Sequence, residues 1–181
     1  DSSIKNLKQS EEASLKKTCE NADLHDGQSI LELGCGWGSL SLWMAEHYQN
    51  SKIISVSNSI NQKKFIDLRA SNLHLNNLTV LTCDMNDFEA NDKFDRIVSV
   101  EMFEHMRNWP ALFNKVSSWM MEESKFLMHV FCHRKTPYFF EAIEEEDWMS
   151  RYFFSGGIMP SDQLPFLQRL RSTGYQKRSV C

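Results

Sequence analysis

Three alternate glycines, Gly34, Gly36 and Gly38, follow directly on a short apolar run and precede a helical pattern. Glycine lets the backbone turn sharply and lets a ligand approach where a Cβ atom would collide with it. A loop of this kind at the carboxyl end of a strand is typical of nucleotide cofactor sites. Its Gly-x-Gly-x-Gly spacing, with Glu32 ahead of the first glycine, differs from the Gly-x-Gly-x-x-Gly of dinucleotide-binding loops. A tight turn without a ligand is the competing interpretation.

Two carboxylates and an imidazole, Glu101, Glu104 and His105, lie within one helical turn after another apolar run. A carboxylate beside a histidine can orient the ring or raise its basicity, so this group has the chemistry of a general base. The competing interpretation is a solvated surface feature at the start of a helix.

Five apolar runs alternate with helical patterns and predict the strands that position these residues. Such an alternation indicates βαβ units, and therefore a doubly wound, mostly parallel α/β sheet. The predicted strands are 29–33, 52–57, 79–83, 94–100 and 125–131, and the predicted helices include 3–21, 40–48 and 110–121.

Length and composition predict one soluble domain. The chain has 181 residues, 41% of them hydrophobic and 24% charged, which is ordinary globular usage. A formal net charge of −4 gives no basic surface for nucleic acid. No apolar run of about 18 residues predicts a membrane span. Five cysteines without a Cys-x-x-Cys spacing favour a reducing compartment, and we expect a cytoplasmic protein without a structural metal.

Several motifs at the strand ends resemble a known family. The glycine pattern resembles motif I of the class I S-adenosylmethionine-dependent methyltransferases. The sequence Val-Glu-Met-Phe-Glu-His-Met-Arg-Asn at 100–108, with Ser-Asn-Ser at 57–59, looks like the coclaurine N-methyltransferase and cyclopropane fatty acid synthase family. The segments 129–133 and 154–161 are similar to the same family. The resemblance covers about residues 20–163 and favours the N-methyltransferase branch.

This resemblance implies S-adenosylmethionine as the cofactor. Many class I methyltransferases hold the ribose hydroxyls with an acidic residue after the second strand, where this chain has Ser57 and Asn58. Neutral groups must then bind the ribose or adenine, and Asn58 and Gln62 can each donate and accept hydrogen bonds. A helix N-cap is the alternative role for Asn58, and a surface turn for Asp84. The implied cofactor-binding residues are Gly34, Gly36, Gly38, Asn58, Gln62, Asp84 and Met85.

The resemblance also implies transfer of a methyl group to the nitrogen of a small amine. An ammonium ion has no lone pair, so an amine that binds as its cation needs a base. By the resemblance, Glu104 and His105 form that base and Glu101 is a carboxylate on the substrate side.

Aromatic side chains are concentrated after the fifth predicted strand. They predict a helical cap over an apolar or aromatic acceptor, although seven rings can also form only the small core of the cap. His129 and His133 do not predict a metal site, because their spacing on a strand and its exit does not bring them together. The pocket candidates are Tyr138, Trp148, Phe153 and His133.

We expect a single methyltransferase domain over 1–181, with a cofactor-binding core at 1–132, a substrate cap at 133–163 and a shortened, incomplete C-terminal part at 164–181. Two other functions stay open. One is methylene transfer to unsaturated acyl chains of phospholipid, which the acidic charge balance disfavours. The other is a binding module without catalysis. The expected partner is a small amine, with lipid as the alternative, and the sequence does not indicate an oligomeric state.

Overall fold

Strand β1 (Ser29–Leu33) lies at the centre of a five-stranded sheet in the computed structural model, which describes residues 6–141, 150 and 156–161. β1 pairs in parallel with its neighbours on both sides, and a further parallel pairing extends the sheet. The predicted mostly parallel α/β sheet is therefore confirmed. The order is β3-β2-β1-β4-β5, with β2 at Lys52–Ser57, β3 at Leu78–Thr82, β4 at Phe94–Val100 and β5 at Met120–His129.

Helices connect these strands. None of the described helices combines the length and apolar character that a membrane crossing requires. The helices are α1 (Leu7–Asn21), α2 (Ser39–His47), α3 (Ile60–Asn72) and α4 (Trp109–Trp119), with a 3₁₀ turn at Phe103–His105. Two short strands, β6 (Tyr138–Phe139) and β7 (Ile158–Met159), form an antiparallel pair.

The strands that the sequence predicts correctly are those with mostly buried residues. The predicted bounds of β1, β2 and β4 are confirmed, because each of these strands is an apolar run with buried residues. β3 ends at Thr82, although the Cys83 amide still donates to the carbonyl of Ser57 at 2.9 Å. The prediction of 125–131 for the fifth strand is wrong at both ends. β5 begins at Met120 and ends at His129, and the exposed Glu122 and Glu123 interrupt the apolar pattern in its first half.

The chain divides into two compact units. The first comprises the described residues up to 100 together with 115–128, and it holds β1 to β4 and helices α1 to α3. The second comprises 101–114 together with the described residues from 129 onward, and it holds the 3₁₀ turn, β6 and β7.

The core of the first unit lies between α1, α2 and the central strands. Cys19 and Ala22 at the end of α1 pack with Ile30 of β1 and Met44 of α2, and all four are nearly or fully buried. The start of α1 contributes nothing to this core, because Leu7 is 84% exposed. The predicted amphipathic helix is thus anchored by its last turn.

Asp23, just after α1, is the ionic centre of the first unit. Its Oδ2 accepts hydrogen bonds from Lys125 Nζ at 2.6 Å and from Arg96 Nη2 at 3.0 Å. His25 Nε2 lies 3.0 Å from Oδ1. The hydrogen bond from Lys125 is the largest cause that lowers the pKa of Asp23 from 3.8 to about 2; burial opposes it, and hydrogen bonds from Arg96 and His25 add to it.

We expect Asp23→Asn to lower the thermal midpoint modestly at pH 7 while preserving the fold, because asparagine tolerates the left-handed backbone found here (φ 55°). The effect is modest because the side chain is 41% exposed and water screens its ion pairs. Since the native pKa of Asp23 is depressed, its contribution is complete above the unfolded pKa and disappears as pH falls from about 4 towards 2. Thermal melts of both proteins across this range test the prediction; a constant difference would contradict it.

Candidate active site

The glycine loop after β1 has a left-handed backbone at each alternate residue. Gly34, Gly36 and Gly38 have φ angles of 80°, 53° and 81°. A Cβ atom on Gly38 would lie 2.5 Å from Cγ1 of Ile66, so this glycine lets the loop pack against α3. A Cβ atom on Gly36 would meet nothing within 4 Å. Gly36 therefore borders open space, as a residue that faces a ligand should, while Gly38 has a packing role.

A buried carboxyl group ties the loop to its surroundings. Glu32, 4% exposed, accepts hydrogen bonds at Oε2 from the Ser41 hydroxyl of α2 and, at 2.7 Å, from the Ser55 hydroxyl of β2. Burial raises the pKa of Glu32, against the lowering effect of these two hydroxyls. The amides of Gly34 and Cys35 both donate to the carbonyl of Val56 at 3.0 Å. The start of the loop is thus fixed to β2, and the strand before it to α2.

The end of β2 carries the predicted ribose-binding residues. Ser59, not Asn58, caps α3, because the Ser59 side chain accepts from the Gln62 amide. The N-cap alternative for Asn58 is therefore wrong, and the exposed Asn58 side chain has no hydrogen bond within the described residues. Gln62 Oε1 accepts from the buried Ser57 hydroxyl at 2.5 Å.

The residues after β3 form a turn. Asp84 is exposed, and its Oδ1 accepts from the amide of Asn86 at 2.8 Å and from the side chain of Asn86 at 2.9 Å. Met85 is 8% exposed. Asp84 thus already has the local hydrogen bonds of a turn residue, and Met85 offers little free surface.

Glu101 leaves β4 with a left-handed backbone, at φ 54°. For a non-glycine residue this conformation costs about 1–2 kcal/mol. Asp23 and His74 share it, but each directly follows a helix, where such residues are common. Glu101 follows a strand. Its amide donates to the carbonyl of His129 at 2.9 Å, and its Oε1 lies 3.8 Å from Nδ1 of His129.

Glu104 is fully buried in the second unit. Its Oε1 accepts from the amide of Phe131 at 2.6 Å, whereas its buried Oε2 has no hydrogen-bond partner within the described residues. Burial raises the pKa of Glu104; the negative charge of Glu101 adds to this, and the amide of Phe131 and the charge of His129 oppose it. A carboxylate that has lost its water but keeps an unused oxygen can accept a proton or a donor from a ligand.

Glu104 and His105 are adjacent in the 3₁₀ turn, but their side chains lie in different environments. The Glu104 side chain is buried and His105 is exposed, although loss of water around part of the ring lowers the pKa of His105. Phe103 anchors the turn through ring contacts with Trp109 at 5.4 Å and Phe113 at 5.3 Å. The Trp109 indole also donates to the carbonyl of Phe103 at 2.8 Å.

The pair β6 and β7 packs against this turn. A Cβ atom on Gly157 would lie 1.8 Å from the Glu104 carbonyl oxygen, so only glycine allows this approach. His133 Nδ1 accepts from the amides of Lys135 at 3.3 Å and Thr136 at 3.0 Å, and its ring lies 6.1 Å from that of Tyr138. His133 and Tyr138 are both exposed. The other two pocket candidates, Trp148 and Phe153, lie outside the described residues.

The second unit thus brings together the side chains of Glu101 and His129, with Glu104 in their electrostatic range. His129 is not among the predicted site residues, because the sequence indicated only a possible role as a metal ligand for this histidine. The position of His129, at the end of the strand beside β4, would have indicated that it lies near Glu101. Among the described residues, no three histidine, cysteine, aspartate or glutamate side chains form a metal site.

Comparison with known proteins identifies the family. The family model described as mycolic acid cyclopropane synthetase matches residues 2–176. The chain belongs to this family. The predicted resemblance to the coclaurine N-methyltransferases and cyclopropane fatty acid synthases is thereby confirmed.

Relatives with two kinds of acceptor are found in this family. The chain is 40% identical to (S)-coclaurine N-methyltransferase of Thalictrum flavum subsp. glaucum over 153 residues, which are 84% of this chain and 42% of that protein. It is 37% identical to cyclopropane-fatty-acyl-phospholipid synthase of Escherichia coli (strain K12) over 158 residues, 86% of this chain and 38% of that protein. The chain therefore spans less than half the length of these relatives.

A solved structure shows the same fold. Coclaurine N-methyltransferase bound to N-methylheliamine and SAH is 36% identical, with a TM-score of 0.80 that covers 88% of this chain and 48% of that chain. Mycolic acid cyclopropane synthase CmaA1, complexed with SAH and CTAB, has a TM-score of 0.74 at 22% identity, covering 95% of this chain and 63% of that chain.

We expect Gly38→Ala to destabilise the protein more than Gly36→Ala. Both substitutions place a side chain on a left-handed backbone, at a cost of about 1–2 kcal/mol. Only the Gly38 methyl group also collides with Ile66. Denaturant unfolding of both variants measures the difference, and equal losses of stability would contradict the distinction between a packing glycine and a ligand-facing glycine.

Proposed function

We propose that this protein transfers the methyl group of S-adenosylmethionine to the nitrogen of a small amine that carries an aromatic group. The observation that carries the proposal is the fully buried carboxyl of Glu104, which has one oxygen without a partner within the described residues. Relatives named as N-methyltransferases support the type of reaction, and the same fold in a protein solved with SAH supports the cofactor.

The glycine loop fits this cofactor. Open space beside Gly36 leaves room for a ligand against the backbone, where a side chain would intrude. Glu32 stabilises the strand before the loop, and its carboxyl group already accepts hydrogen bonds from the hydroxyls of Ser41 and Ser55. The residues proposed to hold the cofactor are Gly34, Gly36, Gly38, Asn58, Gln62, Asp84 and Met85. The bound cofactor supplies a methyl group on a positively charged sulfur.

The residues after β4 would prepare the acceptor. Glu101 would attract an amine cation, which can donate its proton to the Glu104 oxygen that no described residue occupies. Burial raises the pKa of Glu104, so its carboxylate is a stronger base than an exposed one. The lowered pKa of His105 keeps its ring neutral near pH 7, ready to accept a proton. We infer that Glu104 and His105 act at separate steps of one proton path. Glu104 is buried and His105 is exposed, so the two side chains would carry the proton in different environments.

The acceptor pocket is proposed to include the aromatic segment after β5. His133 uses Nδ1 as an acceptor for two backbone amides, so in its neutral form the ring presents an Nε2–H donor. Tyr138 is 47% exposed next to this ring and offers an aromatic face. These two residues, with Trp148 and Phe153, are proposed to contact the acceptor.

Methylene transfer to phospholipid acyl chains is the second candidate function, favoured by the Escherichia coli relative at 37% identity. An alkene attacks the sulfonium methyl group without prior loss of a proton. Its proton-removal step follows formation of the carbon–carbon bond. A base is therefore useful in both reactions, and only the acceptor distinguishes them.

We expect Glu104→Gln and His105→Ala each to lower turnover of a good amine substrate by about 10²-fold or more, the usual contribution of a positioned base. The glutamine side chain in the first variant would keep an acceptor for the Phe131 amide, so the fold should persist. Because burial raises the pKa of Glu104, its ionisation costs stability as pH rises above about 4.5, and the glutamine variant should be at least as stable at pH 7. Initial rates and thermal melts measure both effects.

The matched control is Glu122→Gln, an exposed glutamate of β5. It should leave turnover unchanged. Losses in the Glu104/His105 double variant that are smaller than the product of the single losses would support one proton path. Near-normal turnover in both single variants would show that the base is elsewhere.

The acceptor class is tested by supplying S-adenosylmethionine with a panel of aromatic secondary and tertiary amines, and separately with dispersed unsaturated phospholipid. We expect a methylated product from at least one amine, at a rate that rises with pH as the Glu104 carboxyl, whose pKa is raised by burial, loses its proton. Mass spectrometry should find the acyl chains unchanged. A gain of one methylene unit on the lipid, with no amine product, would instead establish the second candidate function.

A further inference from the structure

Arg107 joins the turn of the second unit to the strand pair of β6 and β7. Its Nε donates a hydrogen bond to the carbonyl of Gly156, which lies just before β7. Its guanidinium carbon lies 5.4 Å from the centre of the Phe139 ring in β6, a distance at which an aromatic face attracts a cation. One side chain therefore contacts both β6 and the segment that leads into β7.

The backbone beside Arg107 is fixed, whereas the strand pair depends on outside contacts. The Trp109 indole donates to the carbonyl of Met106 at 2.9 Å, which holds the chain directly before Arg107. β6 and β7 have two residues each, and so short a pair is at best marginally stable alone. Gly157 gives the pair close packing against the Glu104 carbonyl oxygen, and Arg107 gives it a positively charged donor.

Arg107 also determines the direction of Tyr138, because successive side chains of a strand point to opposite faces. Phe139 faces Arg107. The rings of Tyr138 and Phe140 lie 5.5 Å apart, as expected for residues that share the other face. The Tyr138 ring also lies 6.1 Å from that of His133. The positive charge of Arg107 is therefore on the side of β6 that is opposite to Tyr138.

We propose that Arg107 is a positioning residue for the acceptor. By holding Phe139, it keeps the aromatic face of Tyr138 beside His133, where the aromatic group of the amine would bind. This inference rests on the proposed function, which assigns Tyr138 and His133 to the acceptor pocket. The placement of Arg107 on the opposite face also keeps its charge away from a substrate that binds as a cation, since like charges repel.

Steady-state kinetics with an aromatic amine test this role. Arg107→Met keeps the length of the side chain but removes its charge and its N–H donors. We expect this change to raise KM for the amine about 3- to 10-fold, the usual effect of losing one such contact, and to leave kcat nearly unchanged. Arg107→Lys, which keeps a cation and a donor, should restore part of the affinity. An unaltered KM in Arg107→Met, or a fall in kcat alone, would overturn the proposal.

A double-mutant cycle shows whether Arg107 acts through Phe139. Phe139→Leu removes the ring and should also raise KM, and the double variant should lose less than the product of the two single losses. Independent losses would contradict the proposal. The matched control is Arg69→Met, an exposed arginine of α3, which should leave both kinetic constants unchanged. Affinity for S-adenosylhomocysteine should be the same in all these variants, and a parallel loss in Arg107→Met would indicate general damage and overturn the proposal.

Hydrogen exchange measures the hold on β6 without substrate. The Phe140 amide donates to the Gly157 carbonyl at 3.0 Å, next to the paired residues. We expect this amide to exchange about 3- to 10-fold faster in Arg107→Met, while the amides of β1 keep their rates. Equal exchange at Phe140 in both proteins would overturn the proposal. Failure of the unaltered protein to methylate any aromatic amine would contradict the proposed function as well, whereas methylation with a KM that Arg107→Met leaves unchanged contradicts the role of Arg107 alone.

Discussion

A carboxyl group removed from water must recover hydrogen bonds from the protein, and the candidate site depends on how this chain meets that requirement. Burying an unpaired carboxylate is so unfavourable that the group either finds donors or holds its proton. Glu32 finds donors, because Ser41 and Ser55 both reach one of its oxygens. Since these two serines come from α2 and β2, the same carboxyl fixes the elements that flank the glycine loop. Within this loop, Gly36 borders open space.

Glu104 meets the same requirement only in part. Its burial is complete, yet only the amide of Phe131 meets it, and the second oxygen has no partner within the described residues. A strained backbone at Glu101 accompanies this unsatisfied group. Strain and unmet hydrogen bonds both reduce stability, and folded proteins keep such features mainly where a function requires them. The concentration of both features within one turn is a stronger indication of a site than either of them alone.

The sequence predicts the parts of this structure that depend on local pattern. β1, β2 and β4 are apolar runs, so their bounds follow from burial, and the glycine loop follows from residue type. The start of β5 is missed because Met120 and Met121 continue the pattern of the preceding helix, and the exposed Glu122 and Glu123 then interrupt the apolar run. The sequence also does not show that Ser59 rather than Asn58 is the N-cap of α3, because serine and asparagine are both favourable N-cap residues. The proximity of His129 to Glu101 does not follow from local pattern alone, and it becomes predictable only once β4 and β5 are placed side by side in the sheet. The cap predicted at 133–163 and the roles of the site residues stay predictions.

The acceptor is the property that homology constrains least. The chain is 40% identical to a coclaurine N-methyltransferase and 37% identical to a cyclopropane-fatty-acyl-phospholipid synthase, so overall identity does not separate an amine from an alkene. Chemistry separates them better. An amine bound as its cation needs a negative group and a base before the methyl group moves, and a neutral alkene needs neither at that stage. Glu101 offers a charge, and Glu104 offers an oxygen that no described residue occupies. A hydrocarbon chain would leave that oxygen without a partner until the reaction had begun, whereas an ammonium group supplies the missing donor as soon as it binds. This oxygen, without a partner within the described residues, is why we propose an amine as the acceptor.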